Sequence, residues 1–337
     1  MSLHEIAKAL VASGKGILAA DESTNTIGKR FDSIGIENTE ENRQAYRDML
    51  FTAPNLNKTI SGVILFDETI RQNSLSGKPF VKLLEEQGIL PGIKVDMGAK
   101  PLPNSMSEKI TEGLDGLAQR LEEYAKLGAK FAKWRAVIEI DATDRPTDQA
   151  IHANAEALAR YAALCQHAGI VPIVEPEVLM DNGHDIGRCE AVTGDVLRVV
   201  FKYLALHKVD LKGTLLKPNM VIGGLDCPDH NSPQEVADAT LECFNSVLPD
   251  DLAAIVFLSG GMSDEAASGN LSAMNTMQPK WPLSFSYGRA LQQACLKVWG
   301  GKKENVEAAQ KVFTHRCLMN SLATKGEYSA EAEQKVA

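Results

Sequence analysis

Short apolar runs recur along this chain at regular intervals, each ending in polar side chains. They fall at residues 15–23 (KGILAADES), 60–69 (ISGVILFDET), 91–96 (PGIKVD) and 129–140 (AKFAKWRAVIEI). They continue at 170–179 (IVPIVEPEVL), 213–221 (GTLLKPNMV), 253–261 (AAIVFLSGG) and 282–290 (PLSFSYGRA). Near-continuous apolar runs of strand length suit parallel strands buried on both faces. The intervening segments carry a helical period. Leu114, Leu117, Leu121, Tyr124 and Leu127 recur every three or four residues, which predicts one buried stripe on a helix. The segment AIHANAEALARYAALCQHAG behaves alike, with Gly169 as its C-terminal stop. A third helix opens with Ser232 as N-cap, Pro233 at the first helical position and Glu235 closing a capping box. The GAKPLPNSM stretch within 97–111 reads as a loop.

Eight such alternations with no linker or composition break predict the α/β class, as a single (β/α)8 TIM barrel. The barrel is expected over residues 1–325, followed by a polar C-terminal tail over 326–337. A doubly wound sheet with a dinucleotide loop is the competing fold. Its nominal G-x-G-x-x-A, at Gly14, Gly16 and Ala19, precedes its apolar run, whereas the fingerprint needs strand, turn, then helix. That match is rejected, and no Walker A sequence is present.

Composition narrows the function classes. The net charge of −9 argues against nucleic-acid binding, which needs a clustered basic face. An anionic substrate must therefore be drawn by a local basic pocket against the global field. Six cysteines lie far apart without a C-x-x-C pair, so zinc and dithiol spacing are absent and a reduced cytoplasmic setting is expected. No stretch resembles a signal peptide, and no apolar run approaches the length of a transmembrane helix. The seven histidines form no H-x-x-x-H pair, so no metal site is expected.

Active sites of such barrels gather at the C-terminal ends of the strands. Those ends here carry Asp21 and Ser23, Lys94 and Asp96, Lys133 and Arg135, Glu175 and Glu177, and Lys217 with Asn219. Residues two apart on a strand share a face, so Lys133 joins Arg135 and Glu175 joins Glu177. One lysine at a strand end ordinarily extends its ammonium to water. Three aimed at one mouth repel each other and lose solvent, which should lower their pKa and free a nucleophilic amine for attack on a carbonyl. Spacing does not choose among Lys94, Lys133 and Lys217, although Lys217 has the most apolar flank.

Pro172 and Pro176 interrupt what otherwise reads as a central strand, a broken local rule that often accompanies function. Glu175 and Glu177 beside the lysines can hold different protonation states, or they can simply neutralise Lys133 and Arg135. Asp21 can be a catalytic carboxylate or a helix N-cap. After the last two runs, Ser259, Gly260, Gly261, Ser286, Gly288 and Arg289 supply small residues, backbone N–H groups and a guanidinium. Loops at that position commonly bind phosphate.

These segments, with GVILFDET, ARYAALCQ and WGGKKEN, closely resemble the metal-free, Schiff-base class I fructose-bisphosphate aldolases over residues 14 to about 325. The resemblance implies that Lys217 forms the Schiff base with the ketone of fructose 1,6-bisphosphate or dihydroxyacetone phosphate, without a cofactor. It implies Glu175 as the main acid/base, Asp21 and Glu177 as assisting carboxylates, and Lys133 as an electrostatic support. Lys94 and Arg135 would hold substrate hydroxyls and the distal phosphate. Ser259, Gly260, Ser286, Gly288 and Arg289 resemble the phosphate site beside the ketone. Ser23, Thr26, Lys29 and Arg30 resemble part of the other phosphate end. A cytoplasmic homotetramer is likewise implied.

Animal and plant members carry a tail ending in tyrosine that assists enamine proton exchange. This chain instead has Tyr328 nine residues from its end, which leaves that step unassigned. Two rivals remain at this point: a Schiff-base aldolase for another ketose phosphate such as fructose 1-phosphate, and a partner-binding scaffold with secondary catalysis.

Overall fold

The computed structural model describes residues 1–105 and 107–334. Its strands are β1 (Gly16–Ala20), β2 (Ile60–Leu65), β3 (Leu90–Lys94), β4 (Ala99–Pro101) and β5 (Lys109–Thr111). They continue with β6 (Phe131–Ile138), β7 (Val171–Val178), β8 (Leu215–Leu216), β9 (Ala254–Phe257) and β10 (Leu283–Tyr287). Eight of them close a parallel barrel in the order β1-β10-β9-β8-β7-β6-β3-β2. The predicted TIM barrel is therefore the observed fold.

Two differences from the sequence reading have local causes. The GAKPLPNSM segment is not wholly loop: β4 and β5 pair antiparallel outside the barrel, with Lys100 opposite Ile110. The sixth barrel strand is just two residues long, because Pro218 lacks the N–H that would continue the ladder. The predicted helices are otherwise present. Leu117–Leu127 starts after Gly116, whose φ of 66° turns the chain, so Leu114 lies outside the helix. Asp148–His167 stops just before Gly169 at φ 73°, and Ser232 and Glu235 form the capping box of Pro233–Val247.

The strands separate two apolar regions. Outward side chains such as Trp134, Val174, Leu216 and Phe257 pack beneath the helices. Inward side chains Ile17, Ile64, Phe131, Val171, Ile173 and Leu215 fill the lower half of the barrel. The N-terminal helix Leu3–Leu10 covers that end, adding Ile6, Ala7 and Leu10 to the same cluster. Gly92 makes room for the Phe131 ring, since a Cβ there would lie 2.4 Å from it. The expected polar tail turns back over the helical layer. Its helix Ala330–Gln334 is held by Glu333, which binds His315 and the buried Arg316, while residues 335–337 lie outside the described residues.

Candidate active site

Above the apolar half, the same inward positions become charged. β6 runs from Phe131 to Lys133 and Arg135, and β7 from Ile173 to Glu175 and Glu177. The register sets Lys94 opposite Lys133 and Arg135 opposite Glu175. Lys217 follows β8 directly, its backbone N–H donating to the Val174 carbonyl at 2.8 Å. That bond extends the ladder by one rung and aims the side chain inward before Pro218 turns the chain away.

The residues meet in a cavity of about 560 Å³ at the C-terminal end of the barrel. Lys217 and Glu175 are 4% and 3% exposed, so both side chains are largely enclosed by protein. Glu175 lies between two amines: Oε1 is 3.1 Å from Lys217 Nζ and Oε2 is 3.4 Å from Lys133 Nζ. Lys133 Nζ also sits 2.7 Å from Asp21 Oδ2. Arg135 donates to Glu177 Oε2, and Lys94 donates to both the Asp96 carbonyl and its carboxylate at 2.7 Å.

The expected depression of the lysine pKa by mutual repulsion fails at Lys133. Burial would lower its pKa, but Asp21, Glu175 and Asp96 outweigh it and hold the ammonium well above the usual lysine range. Correspondingly, burial would raise Asp21, yet Lys133, Lys217 and Lys94 hold its carboxyl well below the usual range. Arg135 and Lys217 similarly overcome burial to lower Glu177. Lys133 is thus a fixed cation and Asp21 a fixed anion. Asp21 is not a cap either: Ser23 is the N-cap of helix Thr24–Asp32, accepting from the Thr26 N–H.

On the β9 and β10 side of Lys217, the mouth offers groups suited to anions. Ser259, Gly260, Ser286, Gly288 and Arg289 line one side. Ser286 Oγ is buried with no hydrogen-bond partner among the described residues, an unsatisfied donor aimed at the cavity. Arg289 reaches solvent at the rim, and the enclosing walls together with Arg30's charge lower its pKa. Two guanidiniums facing one space favour an anion between them. Ser23, Thr26, Lys29 and Arg30 line the wall formed by helix Thr24–Asp32. Gly261 does not line the cavity; its N–H points to Met180 Sδ at 3.3 Å. That correction follows from Gly260, whose φ of 53° turns the next amide away.

The sequence reading missed Glu22, Ser33, Gln293, Leu296 and Lys297, which also line the cavity. The helical period could have found most of them. Gln293, Leu296 and Lys297 follow Arg289 by four, seven and eight positions, and Ser33 follows Thr26 by seven.

Fold and site together define a (β/α)8 barrel with a buried amine and a cationic mouth at the C-terminal ends of its strands. Comparison with known proteins narrows this. A profile of the family "Fructose-bisphosphate aldolase class-I" matches residues 2–337. A probable fructose-bisphosphate aldolase class 1 of Xylella fastidiosa is 56% identical over 328 residues, covering 97% of this chain and 98% of that protein. Fructose-bisphosphate aldolase 5, cytosolic, of Arabidopsis thaliana is 54% identical, covering 98% and 92%. The solved fructose-bisphosphate aldolase of Plasmodium falciparum, in complex with TRAP and a small-molecule inhibitor, superposes with a TM-score of 0.96 at 53% identity, covering 97% and 95%. The chain belongs to the class I fructose-bisphosphate aldolase family and is a lyase.

Proposed function

We propose that this chain reversibly cleaves fructose 1,6-bisphosphate into dihydroxyacetone phosphate and glyceraldehyde 3-phosphate through an imine at Lys217, in glycolysis and gluconeogenesis. The observation that carries this is Lys217 Nζ at 3.1 Å from Glu175, at the floor of a cavity whose walls bear separate cationic groups. Lys217 passes a proton to Glu175 and its free amine attacks the ketone carbon. Glu175 returns a proton as water leaves the carbinolamine, giving the protonated imine. The carbon–carbon bond then breaks, its electron pair moves to the imine carbon and nitrogen to form an enamine, and Glu175 takes the hydroxyl proton as the aldehyde departs. Protonation of the enamine carbon and hydrolysis of the imine release the ketone product.

Lys133, fixed as a cation, stabilises negative charge as the carbinolamine forms and collapses. Asp21, fixed as an anion, accepts hydrogen bonds from substrate hydroxyls, and Glu177 holds Arg135 near the distal end. Ser259, Gly260, Ser286, Gly288 and Arg289 bind the phosphate beside the ketone. Lys94, Ser23, Thr26 and Lys29 serve the remaining hydroxyls and phosphate, and Arg30, which stands beside Gly288 and Arg289, reaches either phosphate. The imine itself is the electron sink, so the chemistry needs no separate cofactor.

Borohydride reduction with dihydroxyacetone phosphate tests this directly. The expected result is irreversible attachment at Lys217 with activity that survives EDTA; attachment at Lys133, or loss with the chelator, would overturn the roles. Cleavage of fructose 1,6-bisphosphate faster than fructose 1-phosphate is expected from the two cationic ends. A cytoplasmic setting is supported by the cytosolic Arabidopsis relatives. A homotetramer, as the family resemblance implies, is checked by light scattering.

A further inference from the structure

Glu22 has no assigned role, and its position is unusual. It follows Asp21 just beyond the end of β1, and it too lines the cavity. Its side chain is 4% exposed, yet both oxygens are engaged. Oε1 accepts from Arg30 and from Gln292 Nε2 at 3.1 Å, and Oε2 accepts from Arg47 Nη2 at 2.7 Å. The anchor is itself anchored. Gln292 donates at 2.7 Å to the Ala19 carbonyl of β1 and accepts from Tyr46 Oη at 3.0 Å.

Arg30 and Arg47 do not have equal freedom. Arg47 is buried at 4% exposure, while Arg30 reaches the cavity wall. A Cβ placed on Gly288 would lie 3.8 Å from Arg30 Nη2, so this guanidinium stands beside the β10 end of the mouth, close to Arg289. Arg30 and Arg289 repel each other when no anion lies between them. One carboxylate shared by two arginines leaves one positive charge uncompensated. Because Arg47 is enclosed, that excess charge is presented to the cavity through Arg30.

We propose that Glu22 is a positioning residue for phosphate capture, a carboxylate clamped by Arg47 and Gln292 that holds Arg30 beside Gly288 and Arg289. Without it, Arg30 swings toward solvent, away from Arg289, and each phosphate that binds must first order it. Glu22 acts through Arg30 and does not touch the reacting carbons. This rests on the proposed use of Arg30 and Arg289 for phosphate.

The test compares Glu22→Gln with the unaltered protein in three measurements. KM for fructose 1,6-bisphosphate should rise about tenfold with kcat nearly constant, and competitive inhibition by inorganic phosphate should weaken by a similar factor. Borohydride trapping of dihydroxyacetone, which has no phosphate, should proceed at the original rate. A matching loss in trapping would make Glu22 a general support of the barrel and overturn the proposal. So would an unchanged KM. Placing Glu22→Gln on an Arg30→Met background should add little further loss, whereas additive losses would show that Glu22 does not act through Arg30. Should Glu22→Gln fail to fold, Glu22→Asp carries the same comparison. Absence of any trapping at Lys217 in the unaltered protein would strike the imine reading instead.

Discussion

The lower and upper halves of the barrel interior are built from the same strands at the same inward parity, yet they do opposite things. Below, Ile17, Phe131, Ile173 and Leu215 exclude water. One or two rungs higher, about 7 Å per two residues, stand Asp21, Lys133, Glu175 and Lys217. The apolar half stabilises by burial, and a Phe or Leu enclosed there contributes roughly 1.5–3 kcal/mol relative to exposure. The charged half follows a different rule: removing two ions from water costs energy that their attraction often fails to recover. A dry floor beneath the charges also lowers the local dielectric and strengthens every interaction above it. The lesson is a division of labour within one set of strands, with stability from below and the proposed chemistry from above.

That contrast can be broken experimentally. Lys217→Met should reduce turnover on the order of 10⁵-fold or more, as removal of a nucleophile does elsewhere, while thermal unfolding shows a protein about as stable as before. Retained turnover with lost stability would place Lys217 on the structural side of the divide. At the other end, Phe131→Ala should cost about 3–5 kcal/mol in urea unfolding and leave the kcat of the folded protein unchanged. A large fall in kcat would mean that the floor acts in the chemistry too. Arg289→Ala should raise KM for the bisphosphate about 10- to 100-fold, the effect of losing a charged hydrogen-bonding partner, with a smaller change in kcat.

The smallest effect concerns pH. Asp21's folded pKa lies below its unfolded value near 3.8. Its contribution to stability is therefore full above about pH 4 and is lost as pH falls through that region toward the folded value. Acid unfolding of Asp21→Asn, followed by circular dichroism, should accordingly depend less steeply on pH than that of the unaltered protein. An identical slope would show that the Lys133–Asp21 pair contributes nothing to acid sensitivity.

Much of this arrangement was legible in the chain. Apolar runs alternating with helical periods gave the barrel, and two-residue parity placed Lys133 with Arg135 and Glu175 with Glu177. Parity also hid something. Glu22 lies past the end of β1, where strand alternation no longer says which way a side chain faces, and its partner Arg47 lies on a separate helix, Glu40–Phe51. The pKa direction of Lys133 was illegible for another reason. Its sign depends on whether carboxylates or ammoniums lie nearer, and the 2.7 Å approach of Asp21 exists only after β1 and β6 have closed into one ring. The β4–β5 pair was obscured because three-residue strands carry too few positions to show a period.

The helix Leu3–Leu10 stoppers the far end of the ring, joining Ile6, Ala7 and Leu10 to the cluster of Ile17 and Leu215. Traffic to the buried groups above is thereby one-ended: whatever enters by the mouth also leaves by it.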